Sequence, residues 1–126
     1  AVRRAGLPAS RSACGCCWEA DELSDDTSLA LTLPEGVFVI TGCAHAGVCN
    51  TVAYAKEVSG KARVLGVLGG FHLLEAGDAL DETVCTLGEL GVMRVYPAHC
   101  TSLAVKSAFD RAMETVEVGV GLTLEW

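Results

Sequence analysis

Leu29, Leu31 and Leu33 alternate with smaller or more polar residues, and after Pro34-Glu35-Gly36 the chain enters an unbroken apolar run, Val37-Phe38-Val39-Ile40. The alternation predicts a strand, Pro-Glu-Gly supplies a turn, and the run reads as the second arm of a hairpin, covered on both faces. Asn50 to Ser59 reads as a helix closed by Gly60, and Arg63 to Leu68 as another buried strand. A further helix spans about Asp78 to Leu90: Leu80, Val84 and Leu87 share one face, and Gly91 stands just past its end. Val92 to Tyr96 is a third short strand. Thr101 or Ser102 then caps a last helix reaching about Thr115, with Val105, Phe109 and Ala112 inward.

From Val116 to Trp126 apolar residues alternate strictly with Glu117, Gly119, Gly121, Thr123 and Glu125, which predicts a half-buried closing strand. The order is a β-hairpin followed by α, β, α, β, α, β. That order predicts an α/β fold with a mixed sheet, parallel in its centre, and helices packed on it. Residues 1–27 lack a sustained period and read as an irregular arm before a domain over 28–126.

Composition narrows the class. At 126 residues and 51% apolar, the chain has the length of one domain, and a chain near 150 residues buries ~68–70% of its unfolded surface. A net charge of −7 disfavours nucleic acid and anionic membranes as partners. No apolar run approaches the ~18 residues of a spanning helix, and Ala1-Val2-Arg3-Arg4 leads into no apolar segment of a signal peptide. Seven cysteines, an odd number in an ordinary globular composition, argue against a secreted disulfide framework. The expectation is a soluble, cytoplasmic protein.

The chemistry concentrates in three loops. His45, His72 and His99 are spaced 27 residues apart, each just after an expected strand and before an expected helix. In an open α/β sheet such loops gather at the carboxyl ends of the strands, where ligands bind. Imidazole is also the commonest metal ligand near neutral pH. A loop histidine taken singly is most often only a solvated or hydrogen-bonded side chain. Three in register, with glycine and small residues beside each, favour a metal or catalytic cluster.

The cysteines are weaker signals. Cys14, Cys16 and Cys17 form one tight cluster, whereas a structural zinc site wants two separated pairs. Cys43-x-His45 and His99-Cys100 permit a thiolate beside a histidine base, but neighbours on one backbone seldom aim at the same atom. Cys85, beside Val84, reads as core. Gly66, Gly69 and Gly70 match neither a P-loop nor a dinucleotide fingerprint. The acidic stretch Asp21 to Asp26 reads as a solvated segment.

Four blocks, Asp25-Asp26-Thr27-Ser28-Leu29-Ala30-Leu31, Thr41-Gly42-Cys43-Ala44-His45-Ala46-Gly47, Gly69-Gly70-Phe71-His72-Leu73 and Tyr96-Pro97-Ala98-His99-Cys100, resemble the C-terminal half of metallo-β-lactamase-fold proteins. The resemblance is to the branch containing archaeal dihydropterin-type synthases of methanopterin biosynthesis and related hydrolases. It covers about Asp21 to Trp126. It implies half of an αβ/βα sandwich, a mixed sheet with helices mainly on one face, and a one- or two-metal site holding zinc, manganese or iron. By the same resemblance His45 binds the first metal and His99 the second. His72 falls where many members carry a bridging aspartate, which puts it at the site in a catalytic role.

The superfamily's main ligand motif, His-x-His-x-Asp-His, belongs to the other half, and none of the three histidines stands in that spacing. The resemblance therefore implies a metal-dependent hydrolase or related synthase half that needs a complementary N-terminal half, or a homodimer, to cover its sheet face and complete the site. A non-catalytic remnant or interaction module is the alternative.

Overall fold

The computed structural model describes Ser10, Arg11, Trp18, Glu19, Leu23 and residues 25–125. Two short strands, β1 (Ser10–Arg11) and β2 (Trp18–Glu19), pair antiparallel. The Cys14, Cys16 and Cys17 cluster and Asp21, Glu22 and Ser24 of the acidic stretch lie outside the described residues.

The hairpin forms as its pattern requires. β3 (Ser28–Leu33) and β4 (Gly36–Thr41) pair antiparallel, with Leu29 opposite Ile40, Ala30 opposite Val39 and Leu31 opposite Phe38. Directly paired residues share a face, so the leucines of β3 lie with Phe38 and Ile40, and Ala30 with Val39. β5 (Val64–Gly69) joins β4 in parallel and β6 (Val95–Pro97) joins β5 in parallel, giving the order β3-β4-β5-β6. The β4–β5 register shifts between Val37 and Phe38, where Leu65 is the extra residue of a bulge.

The parallel pairs are connected by helices. α1 (Val48–Ser59) links β4 to β5, α2 (Asp78–Glu89) links β5 to β6, and α3 (Leu103–Ala112) follows β6. α1 ends at Gly60, whose φ of 66° is the left-handed cap that glycine adopts without strain. α3 starts at Ser102, whose hydroxyl accepts from the Val105 N–H. Buried residues of all three helices, among them Val52, Leu87, Val105 and Phe109, close one core with Val37, Val39, Val64, Val67 and Val95 of the sheet. Phe71 and Phe109 meet edge-on within it. The helices thus cover one face of a mixed sheet, as expected.

Three expectations fail. Residues 116–125, the described part of the alternating segment, form no strand: Thr115 bridges Val95 and the Val116 N–H donates to the Val95 carbonyl, but pairing stops there. β6 offers only three residues of edge, and Gly119 and Gly121 weaken any extension. The chain turns at residues 120–121, leaving Val120 fully exposed. Ala112 is exposed because α3 ends there, and Met113 takes the next place against the core. Cys85 is exposed, not core, because it lies about 100° round the helix from Val84. Among the described residues no helix is long and apolar enough to cross a membrane.

Candidate functional site

The loops that leave β4, β5 and β6 lie at the carboxyl ends of parallel strands and are tied to one another through their backbones. The Gly70 N–H donates to the Gly42 carbonyl at 2.8 Å, and the Ala98 N–H to the Gly69 carbonyl at 2.8 Å. The Thr41 hydroxyl reaches the Gly70 carbonyl at 3.1 Å, and the Phe71 N–H reaches the Thr101 hydroxyl at 3.2 Å. Farther out, Leu73 pairs with Thr101. The loop carrying His45 has a second tether: the Asp26 carboxylate accepts from the Ala46 N–H at 2.8 Å.

Close packing of these loops depends on two adjacent glycines. Gly69 has φ 138°, and a Cβ there would lie 2.2 Å from the Thr41 hydroxyl oxygen. Gly70 has no such backbone demand, but a Cβ would lie 2.5 Å from Cys100 Sγ and 2.8 Å from His99 Nε2. Residue 70 is therefore the floor on which the His99-Cys100 loop rests.

Each loop also holds one residue that is not glycine in the left-handed region: Ala44 at φ 55°, His72 at 48° and Cys100 at 45°. Such conformations cost on the order of 1–3 kcal/mol each and persist where the surroundings impose them. Here each is a histidine or the immediate neighbour of one.

The histidines fall into two places. The rings of His45 and His72 stand edge-on, centroids 4.5 Å apart at 76°. His72 Nδ1 is buried and has no hydrogen-bond partner. Beside the pair lies a cavity of about 270 Å³ lined by His45, His72, Cys49, Asn50, Glu82 and Thr83 among others. His99 is exposed and turns instead to sulfur: its Nε2 lies 3.3 Å from Cys43 Sγ. The Cys100 thiol points to the Cys43 carbonyl at 3.6 Å. Ligand atoms of Cys43, His99 and Cys100 all lie within 4.8 Å of one another.

Burial pushes the Cys100 thiol above its usual range and nearby Cys43 adds to this, while the His72 backbone amide pulls the other way. A larger hollow of about 720 Å³ between β3 and α1, bordered by Asp26, Ser28, Tyr54 and Val58, holds no histidine. The smaller cavity is lined by two of the three histidines, His45 and His72.

His45, His72 and His99 thus share one sheet edge, but no single point collects all three. That Cys43 and Cys100 meet at His99 is visible only in three dimensions. Sequence reasoning paired each with the histidine nearest along the chain, whereas Cys43 meets the histidine 56 positions away.

No family model matches the chain. It is 32% identical over 90 residues to 7,8-dihydropterin-6-methyl-4-(beta-D-ribofuranosyl)-aminobenzene-5'-phosphate synthase of Methanocaldococcus jannaschii, covering 71% of this chain and 31% of that protein. An uncharacterized protein of the same organism is 37% identical over 101 residues, covering 80% of this chain and 37% of its own length. The crystal structure of a metal-dependent hydrolase of the β-lactamase superfamily superposes with a TM-score of 0.72 at 36% identity, over 79% of this chain and 40% of that one. The chain belongs to the metallo-β-lactamase superfamily. It spans about a third of the length of the curated relatives it matches. Its mixed sheet with helices on one face corresponds to part of the metallo-β-lactamase fold.

Proposed function

We propose that this metallo-β-lactamase-like chain is one half of a metal-dependent hydrolase, with His45 and His99 as metal ligands and His72 as a catalytic side chain beside His45. The observation that carries the reading is the stitched edge of three loops, on which His45 and His72 stand ring to ring. The donor set fits a metal: imidazoles at strand ends, and a buried His72 Nδ1 with no partner of its own. Imidazole donors suit zinc and iron, whereas manganese favours oxygen donors. When bound, the ion would polarise the substrate's electrophile and acidify water.

This chain's own residues do the rest. Asp26, through the Ala46 amide, holds the loop that aims His45. Gly70 leaves the room that His99 occupies. His72, fixed against His45, lines the cavity that receives part of a small-molecule substrate.

A catalytic zinc normally keeps about three protein ligands, so a complementary half supplies the remaining ligands. Support for such a half comes from β3, where Leu29 and Leu31, on the sheet face turned away from the helices, are 58% and 37% exposed. Calorimetric titration with zinc tests the reading. His45→Ala should weaken binding, and an unchanged isotherm in both His45→Ala and His99→Ala would overturn it.

A further inference from the structure

The mechanism proposed above uses His99 but neither sulfur beside it. We propose that Cys43, His99 and Cys100 form a thiolate site of their own for a soft divalent cation of the zinc class. The site shares His99 with the proposed function and otherwise does not depend on it.

Two loops supply the donors, Cys43 from the turn after β4 and His99-Cys100 from the turn after β6, while Gly70 of the loop between them forms the floor. A tetrahedral ion with metal–sulfur bonds of about 2.3 Å and metal–nitrogen bonds of about 2.0–2.1 Å sets its ligand atoms about 3.5–3.8 Å apart. The Cys43 Sγ to His99 Nε2 distance is 3.3 Å, and all three ligand atoms fall within 4.8 Å of one another. Closing on an ion therefore asks for shifts of a few tenths of an ångström in the sulfur–nitrogen pair and at most about an ångström elsewhere.

A thiol–imidazole hydrogen bond alone would account for Cys43 and His99. It would not account for Cys100, which comes to the same place at the cost of a left-handed backbone. Two thiolates and a neutral imidazole cancel the charge of a dication, and sulfur selects zinc-class ions over magnesium or calcium. Cys43 and Cys100 are half-buried and His99 is exposed, so a fourth position would open to solvent.

Cobalt(II) titration of the reduced full chain tests the site, because only sulfur ligands give a strong near-ultraviolet charge-transfer band. The expected result is a tetrahedral cobalt spectrum with that band at one equivalent, displaced by zinc and kept in His45→Ala. Cys43→Ser and Cys100→Ser should each weaken the band and the double variant abolish it, with the far-ultraviolet dichroism of all three unchanged. A band that survives the double variant would assign the sulfur to other cysteines and overturn the proposal. Cobalt bound without the band, or no cobalt bound, would overturn it as well. A band retained together with zinc affinity unaffected by His45→Ala would leave this site standing while the His45 ligand of the proposed function falls.

Discussion

The imidazole of His45 stands edge-on against that of His72, ring centroids 4.5 Å apart, although the two belong to loops after different strands. His72 takes this place with φ 48°, a conformation in which glycine is relaxed and a β-branched residue is not. His72→Gly should relieve the backbone as it loses the ring contact and stay within about 1 kcal/mol of the parent. His72→Val should lose about 1–3 kcal/mol. Urea unfolding of the pair measures the difference, and equal stabilities would show that the backbone there is unstrained.

Asp26 reaches across from the start of β3 to the Ala46 amide, one residue beyond His45. Asp26→Ala leaves that half-buried N–H without its charged acceptor, at a cost of about 1–3 kcal/mol. The loss should be accompanied by faster hydrogen exchange in residues 44–47 and weaker metal binding. Unchanged exchange would mean that the tether does not hold the loop.

Cys49 and Cys85 contrast within the same layer of helices. Burial, with Glu82 adding to it, pushes the Cys49 thiol from 9.0 up to about 11, while Cys85 is exposed. Iodoacetamide at pH 8 should label Cys85 and spare Cys49 in the folded protein. Because the folded value is raised, the neutral thiol's contribution to stability is complete below about 9 and is lost as pH rises through 9 toward 11. Mass spectrometry after brief labelling reads the first expectation, and Cys49→Ala, which should flatten the alkaline fall in stability, checks the second.

Leu29 and Leu31 lie on the sheet face turned away from the helices, and both are substantially exposed. In the absence of a complementary half this face should drive self-association, and Leu31→Lys should shift the chain toward monomer. Sedimentation velocity decides it: a parent protein that is a clean monomer at high concentration contradicts the expectation.

Much of the fold is readable along the chain because local signals and tertiary packing agree. The leucine alternation of β3, the apolar run of β4 and the Leu80, Val84, Leu87 stripe all form the elements they predict. Val116 to Glu125 shows where reading fails: alternation needs a partner strand, and β6 is too short to provide one. The histidine loops are likewise legible, since strand ends fix their edge. Which side chains meet on that edge is not, because it depends on how the loops are stitched. Gly70 admits His99 and Cys100 against Cys43 across a sequence gap that no spacing rule bridges.

Inductively coupled plasma mass spectrometry on the full chain, purified without chelators, measures whether this edge holds a metal. The parent protein should carry zinc, manganese or iron, with content reduced in His45→Ala and in His99→Ala. A parent protein free of all three metals, or variants that retain the parent's full content, would contradict that expectation.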